Sequence, residues 1–115
     1  MMWEVEYTDE FEEWWMTLCE DEQIEIDAHV GLLEEKGPNL PFPYSSNISS
    51  SRYGEMRELR VQYKGDPYRI LYAFDPRKTA ILLIGGNKTG DDRWYEKYVP
   101  IADKLYAVHL KEIKK

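Results

Sequence analysis

Three charged residues, Glu58, Arg60 and Arg69, stand on two consecutive runs of strand-forming residues at positions that can bring them onto one surface. Side chains alternate between the faces of a strand, so Glu58 and Arg60 share a face of the run 56–63. In the run 68–74, Arg69, Leu71 and Ala73 point one way while Tyr68, Ile70, Tyr72 and Phe74 point the other. Neighbouring strands lie about 4.8 Å apart, so a suitable register sets Arg69 beside Glu58 and Arg60. One use of such a patch is cross-strand ion pairing, which exposed sheets often make for little energy. The other is to hold an anion.

Charge distribution leaves room for the second use. The chain has 115 residues and a formal net charge of −7, which argues against indiscriminate binding of nucleic acid, since phosphate binding depends on cation density. The acid is concentrated at the N-terminal end, however: residues 1–36 hold Lys36 as their one Lys or Arg. Arg52, Arg57, Arg60, Lys64, Arg69, Arg77, Lys78, Lys88, Arg93 and Lys97 follow within residues 52–97, so one part of the molecule can be locally positive. Other chemistries find little support. Cys19, His29 and His109 have no zinc-ligand spacing, a single cysteine makes no internal disulfide, and the glycine-rich stretch 85–92 lacks the spacing of a phosphate-binding P-loop. No metal or cofactor is expected. No apolar run reaches membrane-spanning length and the N-terminus lacks the order of a signal peptide, so a cytoplasmic protein with no membrane partner is expected.

The elements that must position these residues can be read in order. One domain over 1–115 is expected. Trp3-Glu4-Val5-Glu6-Tyr7 alternates as a short strand, and Thr8 or Asp9 caps a helix carrying Phe11, Trp14, Trp15 and Leu18 at helical spacing. A second helix begins near Asp21 and ends at Lys36-Gly37-Pro38. Pro38 to Ser51, rich in proline and serine, predicts an irregular loop that is mobile in its serine half. A meander follows: 56–63, 68–74, and the apolar run 79–84, which should be covered on both faces and stopped by Gly85-Gly86. A last helix starts at Asp91 or Asp92, with Pro100 expected to bend or interrupt it. The class is α+β, a small antiparallel sheet of the N-terminal strand and the meander packed against an N-terminal helical hairpin, with a C-terminal helix.

This order, with Glu58-Leu59-Arg60, Tyr68-Arg69-Ile70-Leu71-Tyr72, Leu82-Leu83-Ile84-Gly85-Gly86-Asn87-Lys88 and the terminal run 98–106, resembles the RelE/ParE superfamily of bacterial toxins, and within it the HigB-like branch. The resemblance covers nearly the whole chain. It implies a toxin of a type II toxin–antitoxin pair, commonly a ribosome-dependent mRNA endonuclease that works without a metal. In that chemistry a ribose 2′-hydroxyl attacks the adjacent phosphate, so the protein positions RNA, moves protons and stabilises negative charge. An arginine fork suits the last task because it donates two hydrogen bonds to phosphate oxygens. Arg69 matches the family's second-strand arginine and Lys88 the basic position after the last strand; Arg60 and Glu58 complete the catalytic candidates. Trp94 or Tyr95 falls near the aromatic that stacks on a base, and Arg57 and Arg93 are further RNA-binding candidates. The chain departs from RelE itself where that branch has a basic pair on the first meander strand: here stand Met56 and Glu58, and His109 is an alternative ionisable group. The implied partners are a helix-turn-helix, HigA-like antitoxin, the ribosome and mRNA. Two other functions share the fold: a ParE-like poison of DNA gyrase, and a degenerate binding module without catalysis.

Overall fold

The strand that carries Arg69 runs through the middle of the molecule. In the computed structural model, which describes residues 2–114, the chain forms β1 (Val5–Tyr7), α1 (Asp9–Trp15), α2 (Glu20–Lys36), β2 (Ser45–Asn47), β3 (Arg57–Tyr63), β4 (Asp66–Phe74), β5 (Ala80–Asn87) and α3 (Trp94–Ile113). The strands join into one sheet in the order β1-β5-β4-β3-β2. The expected α+β class, meander and C-terminal helix are all present. Two features differ from expectation. β1 runs parallel to β5, with Val5 opposite Ala80, while the other pairings are antiparallel. A fifth strand, β2, arises inside the segment expected to be an irregular loop and pairs Ser45–Asn47 with Leu59–Arg57 on the sheet edge.

Each sheet face has its own core. Tyr68, Ile70 and Tyr72 join Leu59, Val61, Phe11, Ile26 and Leu33 on the side where α1 lies over β5 and α2 over β3. Leu71 and Ala73 join Met56, Leu83, Trp94, Val99, Ala102 and Tyr106 under α3. The alternation along β4 thus sorts as the strand period requires, and β5 is covered from both sides. α1 starts where the Thr8 hydroxyl accepts the Phe11 N–H at 3.0 Å. α2 starts at Cys19, whose N–H donates to the Glu22 carboxylate at 2.7 Å, so the lone cysteine is an exposed helix-end residue.

Three boundaries moved for physical reasons. Lys64 (φ 50°) and Gly65 (φ 83°) alone make the β3–β4 turn, the left-handed geometry that two-residue hairpins need, so Pro67 belongs to β4 opposite Gln62 rather than to the turn. Gly85-Gly86 do not stop β5. They are the places where an indole presses flat on the sheet from each side: a Cβ on Gly85 would lie 2.3 Å from Trp14 and one on Gly86 2.6 Å from Trp94. α3 begins at Trp94 and runs unbroken through Pro100. Pro100 and Glu96, whose carbonyl loses its helical donor there, are both exposed, so water can serve that carbonyl while Val99, Ala102 and Tyr106 hold the helix on the sheet.

Candidate functional site

β3 and β4 place Arg60 directly opposite Arg69, a pairing of like charges that is unfavourable unless something lies between them. Glu58 does. It is 5% exposed, one turn of the pleat from Arg60 on the same face, and its carboxylate is surrounded. Oε2 accepts from Arg60 Nη1 at 3.1 Å and from the Ser46 hydroxyl at 2.5 Å. Oε1 accepts from the Tyr95 hydroxyl at 2.5 Å and stands 3.4 Å from Arg69 Nε. The ion pairing anticipated from the sequence is therefore real, but it is not exposed surface pairing. One carboxylate serves two guanidinium groups and leaves a net positive site.

Arg69 is the most constrained of these groups. It is 5% exposed, opposite Gly86 on β5, and its Nη1 donates to the Tyr68 carbonyl at 2.9 Å. Its Nε is close enough to Glu58 for Coulomb attraction but off the line of a hydrogen bond, and among the described residues it is the buried side-chain polar atom without a hydrogen-bond partner. A buried donor left unmet costs free energy, so the arrangement is held against its own preference by the sheet around it.

Tyr95, on the first turn of α3, closes the patch. Burial pushes its phenol pKa up and the hydrogen bond to Glu58 adds to this, while Arg69 pulls the other way; the net shift is upward, so the group is a neutral donor. Lys88 Nζ lies 5.4 Å from the centre of the Tyr95 ring, and on the opposite flank the Arg60 guanidinium lies 5.0 Å over the Phe42 ring. Glu58, Arg60, Arg69, Tyr95 and Lys88 thus form one continuous site, alternating cation and aromatic. A cleft of about 320 Å³ opens beside it, lined by His29, Pro43, Tyr44, Arg60, Gln62 and Arg69.

The remaining sequence candidates lie elsewhere. Arg57 is on the opposite face, where Nε donates to the Ser45 hydroxyl at 3.0 Å and that hydroxyl meets the Tyr72 hydroxyl at 2.6 Å. Trp94 is 2% exposed, packed on Gly86 and stacked with Tyr98, so it has no face free for a base. Arg93 is exposed and pairs with Glu96 at 3.1 Å. His109 bonds the buried Asp75 at 2.8 Å, in a network with Arg77 and Glu6 beyond the end of β4 farther from Arg69. There, burial raises the Asp75 pKa, but the hydrogen bonds from Arg77, His109 and the Thr79 N–H outweigh it and the net shift is downward. Phe42, Tyr44 and Ser46 are not legible as site residues, because nothing in the 38–51 composition signals a strand, and His29 is not, because only the tertiary packing of α2 brings it to the cleft. Among the described residues no group of His, Cys, Asp or Glu could hold a metal ion, and no helix is long and apolar enough to cross a membrane.

Comparison with known proteins gives the family and the fold. Residues 13–107 match the family described as Phage derived protein Gp49-like (DUF891). Two proteins of Mycobacterium tuberculosis named as toxins are similar in sequence: HigB3, 42% identical over 94 residues covering 81% of each chain, and HigB2, 39% identical over 99 residues covering 84% of this chain and 49% of that one. The fold is similar to that of an E. coli RelE toxin double mutant in the free state (TM-score 0.57, 11% identity, 98% and 99% of the two chains). It is also similar to a chain of the archaeal RelE–RelB complex from Pyrococcus horikoshii (TM-score 0.57, 16% identity, 78% of this chain and 99% of that one). A matching family model over most of the length and two HigB relatives lead to one conclusion: the chain belongs to the Gp49-like family, is similar in sequence to HigB toxins, and has the fold of RelE.

Proposed function

We propose that this protein is the toxin of a toxin–antitoxin pair and acts as a ribosome-dependent endoribonuclease. The observation that carries the reading is the buried Arg69, with an unmet Nε, held beside Arg60, Tyr95 and Lys88 by one carboxylate. In the reaction the 2′-oxygen of a ribose forms a bond to the adjacent phosphorus as its proton passes to solvent water, and the bond to the 5′-oxygen breaks with a proton returned to that oxygen, giving a 2′,3′-cyclic phosphate and a 5′-hydroxyl. Charge builds on the two non-bridging oxygens. Arg69 and Arg60 supply donors that need no reorganisation when this charge develops, which is the main source of rate in such sites. Glu58 acts as a positioning residue rather than a free base, because both of its oxygens are already engaged. Tyr95, whose one proton is given to Glu58, fixes that carboxylate, and the Lys88 side chain at the rim adds charge and can give a hydrogen bond to the departing 5′-oxygen. The RelE–RelB complex among the structural relatives supports an antitoxin partner, here of helix-turn-helix, HigA-like type, and the substrate puts the protein in the cytoplasm with ribosomes.

The test is induced expression in a bacterial host with mapping of new RNA ends. Growth arrest with cuts at fixed codon positions supports the reading. Growth arrest with intact mRNA and blocked DNA gyrase would replace it with the ParE-like function, and no toxicity at all would leave only a binding module.

A further inference from the structure

We infer that the cleft beside the arginine pair is a nucleoside subsite, in which Tyr44 stacks on an RNA base whose phosphate lies on Arg60 and Arg69. The inference rests on the RNA-cleaving reading of those arginines and adds to it a base-stacking residue on a different segment of the chain.

Two large aromatics stand out of the surface here, Phe42 at 69% and Tyr44 at 42% exposure. Neither completes a core, and both lie at the end of the site where Arg60 emerges. Their backbone is held firmly. Leu40 is buried, the Tyr44 and Ser45 N–H groups both donate to the Pro41 carbonyl at 3.0 and 3.1 Å, and the Tyr44 carbonyl accepts the Arg60 N–H at 2.8 Å. Two prolines restrict the same stretch. Aromatic rings are therefore presented to solvent on a fixed frame, which lowers the ordering cost of stacking a planar ligand on them.

The walls of the cleft fit a nucleotide in size and in chemistry. Its volume, about 320 Å³, suits one nucleoside. Tyr44 and His29 lie 6.3 Å apart between ring centres with 52° between planes, so they line the cleft side by side without stacking on each other. His29 Nδ1 lies 2.9 Å from the Glu25 carbonyl, which can only accept, so Nδ1 carries the proton. In the neutral ring Nε2 is then an acceptor, suited to a base amine or a ribose hydroxyl. The floor is cationic: Arg60 and Arg69 share the single carboxylate of Glu58 and so keep about one positive charge, which matches one phosphodiester. Base stacking tolerates any base, whereas the acceptor on His29 discriminates, so this pair gives affinity and preference together.

The experiment uses the whole protein and an RNA trinucleotide carrying 2-aminopurine at one end, with 2′-O-methyl groups so that binding is read without cleavage. Stacking quenches 2-aminopurine fluorescence. Wild type should quench it; Tyr44→Ala should weaken binding roughly tenfold and remove the quench, while Tyr44→Trp keeps both. Arg60→Gln should weaken binding yet leave the quench at saturation. Equal quenching by Tyr44→Ala and wild type, or none by wild type, overturns the subsite. Its failure is separate from that of the parent reading: cuts in ribosome-bound mRNA at the same rate and with the same base preference in wild type and a Tyr44→Ala, His29→Phe double variant would keep the endonuclease and discard the subsite. A stacked trinucleotide with no cleavage of any mRNA would do the reverse.

Discussion

Arg69 both does the proposed chemistry and helps hold the sheet together, and the two duties can be separated by substitution. Arg69→Ala removes a charge from a buried pair, a change that costs about 3–5 kcal/mol when the partner is stranded; here Ser46, Arg60 and Tyr95 still hold Glu58, so the low end applies. The alanine variant should therefore lose stability as well as growth arrest, and an intact fold is not expected of it. Arg69→Lys keeps the charge without the fork. It should unfold close to the wild-type temperature yet cut RNA about 10²–10³-fold more slowly, and a lysine variant as fast as wild type would remove Arg69 from the mechanism. Tyr95→Phe tests the phenol. Its pKa is raised, so the hydrogen bond to Glu58 is fully present below the unfolded tyrosine value near 10 and is lost only as pH rises past the shifted value. Denaturant titration at pH 7 should show the Phe variant weaker by about 1.5 kcal/mol, the low end for a bond to a charged group because the ring is half-buried. The gap should close only above about pH 10; a gap that closed in the acid range instead would mean that another group carries the effect.

At the scale of elements, the site depends on where α3 begins. Trp94 rests on Gly86, and Tyr95, the next residue, reaches Glu58; the closeness of indole to backbone sets the height of the helix above the sheet. Gly86→Ala would put a methyl 2.6 Å from the indole nitrogen, and the ring or the first turn of α3 must give way. A cost of about 1–3 kcal/mol is expected for such overpacking. Because Tyr95 moves with the turn, growth arrest should fall even though residue 86 touches no substrate. Gly85→Ala meets Trp14 on the other face, at 2.3 Å, and serves as the control. It should destabilise the protein at least as much while leaving the Tyr95 environment in place, which the aromatic NMR signals of the two variants can compare. The β2 segment matters in the same way. Ser46 bonds Glu58, and Ser51 and the Arg52 N–H bond Asp103 on α3, so residues 45–52 are tied to the sheet and helix rather than loose.

For the molecule as a whole, the distribution of charge matters more than its sum. The net charge is −7, yet the acid lies mainly on β1, α1 and α2, while the cationic site sits on the α3 side of the sheet around Arg60, Arg69 and Lys88. A basic antitoxin surface would be steered to the acidic helices, and mRNA to the cationic site, with less repulsion than the net charge suggests. Association with the antitoxin should accordingly slow by roughly tenfold or more between low salt and about 0.5 M, chiefly in the on-rate. Stopped-flow mixing would measure it, and an on-rate that ignored ionic strength would remove the electrostatic part of the proposal.

The sequence by itself determined the local chemistry: the helices and every strand but β2 to within a few residues, which side of β4 Arg69 takes, and that Glu58 and Arg60 share a face. Period-two alternation and capping are properties of a few neighbouring residues, so they survive without knowledge of the rest. The same alternation separates Arg57 from Glu58, so the face that Arg57 takes is also legible in the sequence. What only the tertiary structure decided involves contacts between distant segments. The parallel direction of β1 follows from where α1 and α2 must cross to cover β5 and β3, and β2 exists because β3 had a free edge, not because Ser45-Ser46-Asn47 favours a strand. Gly85-Gly86 read locally as a stop and became strand because Trp14 and Trp94 needed bare backbone to lie on. Trp94 and Tyr95, adjacent in sequence and both aromatic, divide into core and site only because a helix turns about 100° per residue and the sheet lies on one side of it.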